Sequence, residues 1–128
     1  MKITLTILML GICAAPVAVA QVNLGELRDA PSAKFTARDF EMLWATVDEV
    51  SRAKPGTVKK WANADTGSGG AIKLLKVFTS TDGRDCRGLR IDNYARSLKG
   101  SSKQIVCADP EGKWMLDANA RAAPKPKS

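Results

Sequence analysis

The fold of this chain is set by residues 36–50, TARDFEMLWATVDEV, which carry the start signal and the periodicity of an amphipathic helix. Thr36 can cap the first turn, and Asp39 three residues later completes a capping-box pattern. Lys54-Pro55-Gly56 then stops the helix. The apolar residues recur at helical spacing and form one stripe, which consists of Phe40, Leu43, Trp44, Val47 and Val50.

From Thr57 onward the apolar period shortens to two, which is typical of strands. Short strands are expected at 58–61, 71–80, 85–94, 103–107 and 113–116, joined by turns rich in Gly, Asp, Asn and Ser. One helix before about five short strands predicts an α+β fold, an antiparallel sheet with the helix packed on one face. The aromatic stripe could instead bind a partner or lipid, but we expect it to dock on this sheet, with Trp61 and Trp114 mainly in the core.

Residues 1–20 have the pattern of a removable export signal. Lys2 precedes an apolar run, and Ala18-Val19-Ala20 is a processing-site pattern, so we expect Gln21 to be the mature N-terminus. One alternative is an uncleaved membrane anchor, since about 17–25 apolar residues can span a bilayer. Another is lipid attachment at Cys13, which the branched residue before it disfavours. Cleavage would leave a periplasmic, secreted or cell-surface protein with no stable membrane span.

Removal of the signal leaves an even pair of cysteines, Cys86 and Cys107, in an oxidising compartment. They lie on the third and fourth predicted strands, which antiparallel pairing can bring together, so we expect a structural disulfide. A closed loop of this length stabilises a fold by about 3.4 kcal/mol in the chain-entropy model. A redox role is the alternative, but the chain has no C-x-x-C motif. Strict alternation puts Cys86 and Leu89 on opposite faces, so Gly88 is expected to mark a bulge that resets the phase.

The length of residues 21–128 corresponds to a single small domain. Residues 21–34 are expected to be a flexible lead-in, and 35–118 the folded domain. Residues 119–128 form a basic, proline-containing tail that has nothing to bury, and we expect them to be disordered.

Composition excludes several function classes. Histidine is absent, which excludes His-dependent triads and removes the commonest zinc ligand. Two cysteines and scattered carboxylates make no convincing metal set, so we expect no cofactor and no enzymatic activity. The chain carries 20 Lys and Arg against 13 Asp and Glu, and loss of Lys2 leaves a net charge of +6. Such charge favours anionic surfaces, whereas few aromatics and export argue against nucleic-acid binding.

Two candidate sites remain. Basic residues cluster around the third predicted strand, where they would form an anion- or partner-binding patch if they share one face. The alternative is an ordinary solvated face. The patch candidates are Lys73, Lys76, Arg84, Arg87, Arg90 and Arg96. The second candidate is an exposed rigid loop after the first strand, containing Asn63, Asp65, Thr66 and Gly67.

Four short motifs follow one another along residues 61–114. They are WANADTGSGG at 61–70, GRDCR at 83–87, Cys107, and EGKW at 111–114. Their order resembles the soluble domain of the bacterial outer-membrane surface antigen family, related to the rickettsial surface antigen. The resemblance implies an envelope location and a small β-rich module, and it implies no known reaction and no catalytic residue.

These features predict a non-enzymatic exported envelope protein, periplasmic or surface-exposed. Its expected partner is an envelope protein or an anionic envelope component. The alternative is a small disulfide-stapled secreted inhibitor or host-directed effector that acts through the loop after the first strand.

Overall fold

The computed structural model describes residues 30–124. The predicted signal at 1–20, most of the lead-in and residues 125–128 lie outside the described residues. A 3₁₀ turn, Pro31–Lys34, leads into the single α-helix of this part of the chain, α1, Ala37–Ser51. Five strands follow: β1 Val58–Asn63, β2 Ser68–Thr79, β3 Asp85–Ala95, β4 Leu98–Ala108 and β5 Trp114–Leu116.

The strands form one antiparallel sheet in the order β1-β2-β3-β4-β5, and α1 packs on one face of it over β1 and β2. For residues 30–124, this arrangement confirms the predicted α+β fold, one helix on a five-stranded antiparallel sheet with a Cys86–Cys107 disulfide. Within residues 30–124, no helix combines the length and the apolarity that a membrane crossing needs.

The start of α1 is held by the capping box that the sequence predicts. Thr36 Oγ1 accepts a hydrogen bond from the Asp39 backbone N–H at 3.2 Å, and Asp39 Oδ2 accepts one from the Thr36 N–H at 2.8 Å. Phe35 before the cap packs edge-on against Phe40, with ring centroids 5.5 Å apart. These contacts fix the angle at which the chain enters the helix.

The main core lies between α1 and the sheet. Trp61 and Trp114 are both buried there, as the sequence predicts, and the Phe35 ring packs edge-on against Trp61 at 5.2 Å. The helical stripe supplies one side of this core, although its first residue, Phe40, stays partly exposed. The buried members are Leu43, Val47, Val50, Trp61, Ile72, Leu74, Leu89, Ile91, Val106 and Trp114.

Two strands begin earlier than the sequence predicts. β4 begins at Leu98, so the expected loop at 97–102 is largely strand, and the connection from β3 is a tight turn in which Arg96 has φ 55°. β2 begins at Ser68 and includes Gly69 and Gly70, which sequence reasoning assigned to a loop. Both glycines sit where neighbouring strands carry large side chains, so their small size serves packing rather than a turn.

The expected bulge at Gly88 is wrong. The β3–β4 register runs unbroken from Cys86 to Ala95, and the irregularity lies in β2, between Leu74 and Lys76. Cys86 therefore points away from α1. It lies directly opposite Cys107, to which it is bonded, with their Cα atoms 4.1 Å apart. The disulfide belongs to a second, smaller core on the other face of the sheet, with Phe78, Ile105 and Ala120.

Residues 117–124 cover the disulfide. Asp117 accepts a hydrogen bond from Arg84 Nη2 at 2.6 Å, Ala120 is buried against the cysteines, and Ala122 forms a bridge with Ser80. The expectation of a disordered tail over 119–128 therefore differs from the structure in its described part, 119–124. The reason is that the disulfide places apolar surface on the face away from the helix, and this segment packs on that surface.

Candidate functional site

The face of the sheet that points away from α1 is called the open face here. Directly opposed residues of antiparallel strands share a face, so the pairing register assigns each side chain to one side. This register collects six cationic side chains on the open face, all exposed, and one carboxylate, Asp92. The cations are Lys60, Lys73, Lys76, Arg90, Lys99 and Lys103.

Three of these cations form a row across the sheet. Lys73 of β2 lies opposite Arg90 of β3, and Arg90 lies opposite Lys103 of β4. Neighbouring strands are about 4.8 Å apart, so the backbone positions of these three charged residues span roughly 10 Å across the sheet. Within residues 30–124 only Arg90 of the six has an ion-pair partner, Asp92, with Nε and Oδ1 3.4 Å apart. Like charges opposite each other destabilise a sheet, and they also create a strong positive potential that attracts anions.

A groove of about 810 Å³ lies beside this row and crosses β1 to β4. Ala71 and Asp92 are in its centre, and Lys60 and Lys99 line it from the outer strands. Tyr94 also lines the groove, and its phenol end lies over Gly69, where a Cβ would be 2.6 Å from Tyr94 Cζ. The groove thus combines two lysines, a positioned aromatic ring and one carboxylate.

The carboxylate of the groove is held ionised. A hydrogen bond from Ser101 lowers the pKa of Asp92 below its ordinary value, burial partly opposes this, and the positive charge of Arg90 adds to the lowering. Asp92 therefore offers acceptor oxygens on a surface that otherwise presents donors.

The structure brings together three of the six residues predicted to form a basic patch. Lys73, Lys76 and Arg90 share the open face, with Lys76 Nζ 5.0 Å from the centre of the Phe78 ring. Sequence reasoning missed Lys60, Lys99 and Lys103, which complete this face. Their common position follows from the register of β1 and β4. The assignment of 97–102 to a loop hid only Lys99.

The other three predicted patch residues lie elsewhere. Arg84 pairs with Asp82 and with Asp117 at 2.7 and 2.6 Å and so fastens the C-terminal segment. Arg87 points to the helix side. Its guanidinium donates to the Ser51 carbonyl at 2.7 Å and lies 4.9 Å from the centre of the Trp114 ring, and it pairs with Asp85. Arg96 is exposed in the β3–β4 turn.

The candidate loop after β1 is fastened to the start of the helix. Asn63 Nδ2 and Thr66 Oγ1 both donate to Asp39 Oδ1, at 2.8 and 2.7 Å, and Asn63 and Asp39 are buried. Burial alone would raise the pKa of Asp39, but hydrogen bonds from Thr36, Thr66 and Asn63 outweigh it, and the pKa lies below the ordinary value. Of the four predicted loop residues, Asp65 and Gly67 are exposed, and Gly67 has φ 70°.

A second groove, of about 710 Å³, lies between α1 and the edge strand β5. It is mainly apolar, with Phe40, Trp44, Met115 and Leu116 among its lining residues. It carries few polar groups and therefore offers less chemical selectivity than the open face. Among residues 30–124, no group of three or more carboxylate, thiol or imidazole side chains is placed to hold a metal ion.

Comparison with known proteins gives one match. The model of the family described as 17 kDa outer membrane surface antigen matches residues 49–115, which extend from the end of α1 to β5 and include four of the five strands in full. No curated protein and no solved structure matches the chain significantly.

Proposed function

Because this chain belongs to the 17 kDa outer membrane surface antigen family, we propose that it is a non-enzymatic protein of the cell envelope whose open face binds an anionic envelope component. The family implies an exported protein with an envelope or surface location. The proposal adds a working surface and a class of partner to that location. It also takes the chain to be exported through the predicted signal at 1–20 and to act in the periplasm or at the cell surface.

The observation that supports this proposal most strongly is the charge of the open face. Six cations and a single carboxylate lie on one side of a four-strand surface, while the exposed Arg38 of α1 and Arg52 just after it are each paired with a carboxylate. Cations opposite each other on adjacent strands repel one another, so an anion that binds between them relieves repulsion as well as gaining attraction.

The alternative, a secreted inhibitor or host-directed effector, depends on the loop after β1. Inhibitory loops present side chains to a partner, whereas Asn63 and Thr66 direct their polar groups to Asp39 within the protein. Only Asp65 and Gly67 remain exposed on this loop among its four predicted residues. The open face is therefore the better supported surface, and the alternative stays a prediction.

The test is retention of envelope components on the immobilised mature protein, residues 21–128, as salt is raised. We expect specific retention that persists at about 0.3 M salt, where long-range attraction between exposed charges is largely screened. A variant that neutralises the row, Lys73→Gln, Arg90→Gln and Lys103→Gln together, should lose this retention.

The matched control removes the same charge from the opposite side of the molecule, with Arg38→Gln, Arg52→Gln and Lys54→Gln. This control variant should retain the envelope component as the unmodified protein does. Equal loss in both triple variants would show that net charge alone governs retention, and the proposal of a specific face would fail.

A further inference from the structure

We propose that the groove on the open face binds an anionic glycan, with Tyr94 as the platform for a sugar ring and the surrounding lysines as partners for its acidic groups. This inference rests on the proposed function, because it names the chemical class of the anionic partner. It concerns the groove beside the cationic row and not the apolar groove at β5.

Gly69 determines where the Tyr94 ring lies. Its phenol end occupies the space above Gly69, where a Cβ would also lie 2.7 Å from the Trp61 carbonyl oxygen, so only glycine leaves room for the ring. The ring therefore lies over the sheet instead of projecting from it, and Tyr94, which is 39% exposed, lines the groove. An aromatic face carries partial negative charge, and the C–H bonds on one side of a sugar ring stack on such a face.

Cationic side chains surround the Tyr94 ring. Lys99 is directly opposite Tyr94, and Lys60 lies on β1 at the opposite wall of the groove. The row of Lys73, Arg90 and Lys103 is four residues from Tyr94 along β3, about 13 Å, so cations border the groove at its sides and at one end. Acidic groups spaced along a chain can meet these cations while the sugar rings between them cover the centre.

The floor of the groove combines open space with polar groups. Ala71 leaves the centre open, and Asp92 and Ser101 supply an acceptor and a hydroxyl for sugar hydroxyl groups. The volume, about 810 Å³, lies within the range of well-formed ligand sites. The groove is broad and open, and neither an inorganic anion nor a phosphate headgroup has a ring face to place on Tyr94. These features favour an acidic oligosaccharide over a lipid headgroup or free phosphate.

The experiment is isothermal titration of residues 21–128 at about 0.15 M salt with an oligogalacturonate, a carboxylated oligosaccharide that serves as the probe. The comparison ligands are its methyl ester, a polyphosphate of equal charge, and phosphatidylglycerol vesicles. We expect the oligogalacturonate to bind most tightly and the methyl ester at least tenfold more weakly.

Variants separate the ring from the charges. Tyr94→Ala should weaken oligogalacturonate binding about tenfold and change polyphosphate binding less than twofold, whereas Tyr94→Phe, which keeps the ring, should stay within twofold of the unmodified protein. Lys60→Gln with Lys99→Gln should weaken binding of both ligands. The Phe variant keeps the test decisive if the Ala variant unfolds. Tyr94→Phe removes only the hydroxyl, so loss of glycan binding in this variant would contradict a stacking role for the ring.

The outcomes distinguish this inference from the proposed function. If polyphosphate or vesicles bind as tightly as the oligogalacturonate and Tyr94→Ala has no effect, the glycan inference is overturned and an anion-binding face remains. If none of these polyanions binds the protein at about 0.15 M salt, the anion-binding function itself fails.

Discussion

Replacement of Asp39 by alanine tests how the loop after β1 is attached to the helix. The carboxylate is buried and accepts hydrogen bonds from the Thr36 backbone, the Asn63 amide and the Thr66 hydroxyl, all between 2.7 and 2.8 Å. Asp39→Ala removes all three and leaves two side-chain donors without their acceptor. The capping box is lost in the same step.

The expected magnitude follows from these contacts. A hydrogen bond to a charged group contributes about 1.5–3 kcal/mol, but neighbouring losses are not additive because the loop can relax toward water. We therefore expect Asp39→Ala to lower the free energy of unfolding by about 3–5 kcal/mol. Small domains have about 5–15 kcal/mol in total, so the variant should be close to the limit of stability.

The same carboxylate makes stability depend on pH. The folded state holds the pKa of Asp39 below the ordinary value near 3.9, because its hydrogen bonds outweigh the effect of burial. A lowered folded pKa contributes stability that is fully present above about pH 5 and is lost as the pH falls through the folded pKa. Asp39→Asn cannot ionise, so its stability should fall less steeply between pH 5 and pH 2.

The assay is urea unfolding followed by tryptophan fluorescence at pH 7 and across the acid range. Asp48→Ala is the matched control, because it removes an exposed carboxylate of the same helix that pairs only with Arg52 at the surface, worth about 0.5 kcal/mol. A cost below about 1 kcal/mol for Asp39→Ala, or identical acid slopes for Asp39→Asn and the unmodified protein, would refute the reasoning.

Three further predictions concern the sheet. Gly70→Ala should lower the free energy of unfolding by about 2 kcal/mol or more in urea titrations, because the new Cβ would be 2.6 Å from Asn93 Oδ1 and closer still to a backbone oxygen; a neutral result would contradict the packing described. Cys86→Ser with Cys107→Ser should cost about 3 kcal/mol, and a reductant should lower the melting temperature of the unmodified protein but not that of this variant. Arg87→Ala should cost about 2 kcal/mol in the same urea assay, because it removes a hydrogen bond and a cation–π contact with a buried ring, whereas Arg96→Ala in the exposed turn should be neutral.

The parts of the fold that local sequence determines were predictable. The capping box at Thr36 and Asp39 and the helical stripe depend on neighbours within one or two turns, and the structure has both. The pairing of Cys86 with Cys107 followed from an even cysteine count and from antiparallel strands joined by a short connection. The capping box and the stripe need only short-range spacing, and the disulfide needs in addition the pairing of two strands that follow each other along the chain.

The parts that depend on register were not predictable from the sequence. Cys86 faces away from the helix because the bulge lies in β2 and not at Gly88. No sequence signal in β2 predicts a bulge between Leu74 and Lys76. The burial of Ala120 depends on this face in turn. The polar run at 100–102 read as a loop, yet it is the exposed part of β4 beyond the reach of the three-residue β5.

Only half of the predicted basic patch lies on the open face, for the same reason. Lys73, Lys76 and Arg90 were recognised from their proximity to the third strand, but Arg87 belongs to the opposite face and stacks on Trp114. Alternation along β3 puts Arg87 and Arg90 on opposite faces, but the bulge expected at Gly88, which lies between them, would have reset that assignment. The contribution of Lys103 required the β3–β4 register, which places it opposite Arg90.

The most direct test of the open face as the working surface is an NMR titration of residues 21–128 with the acidic oligosaccharide, observed through the lysine ε-methylene signals. The structure predicts that the lysines that border the groove shift, at 60, 73, 99 and 103, while those at 54, 59 and 113 do not. Shifts spread evenly over all lysines, or centred on Lys113 beside the apolar groove, would contradict it.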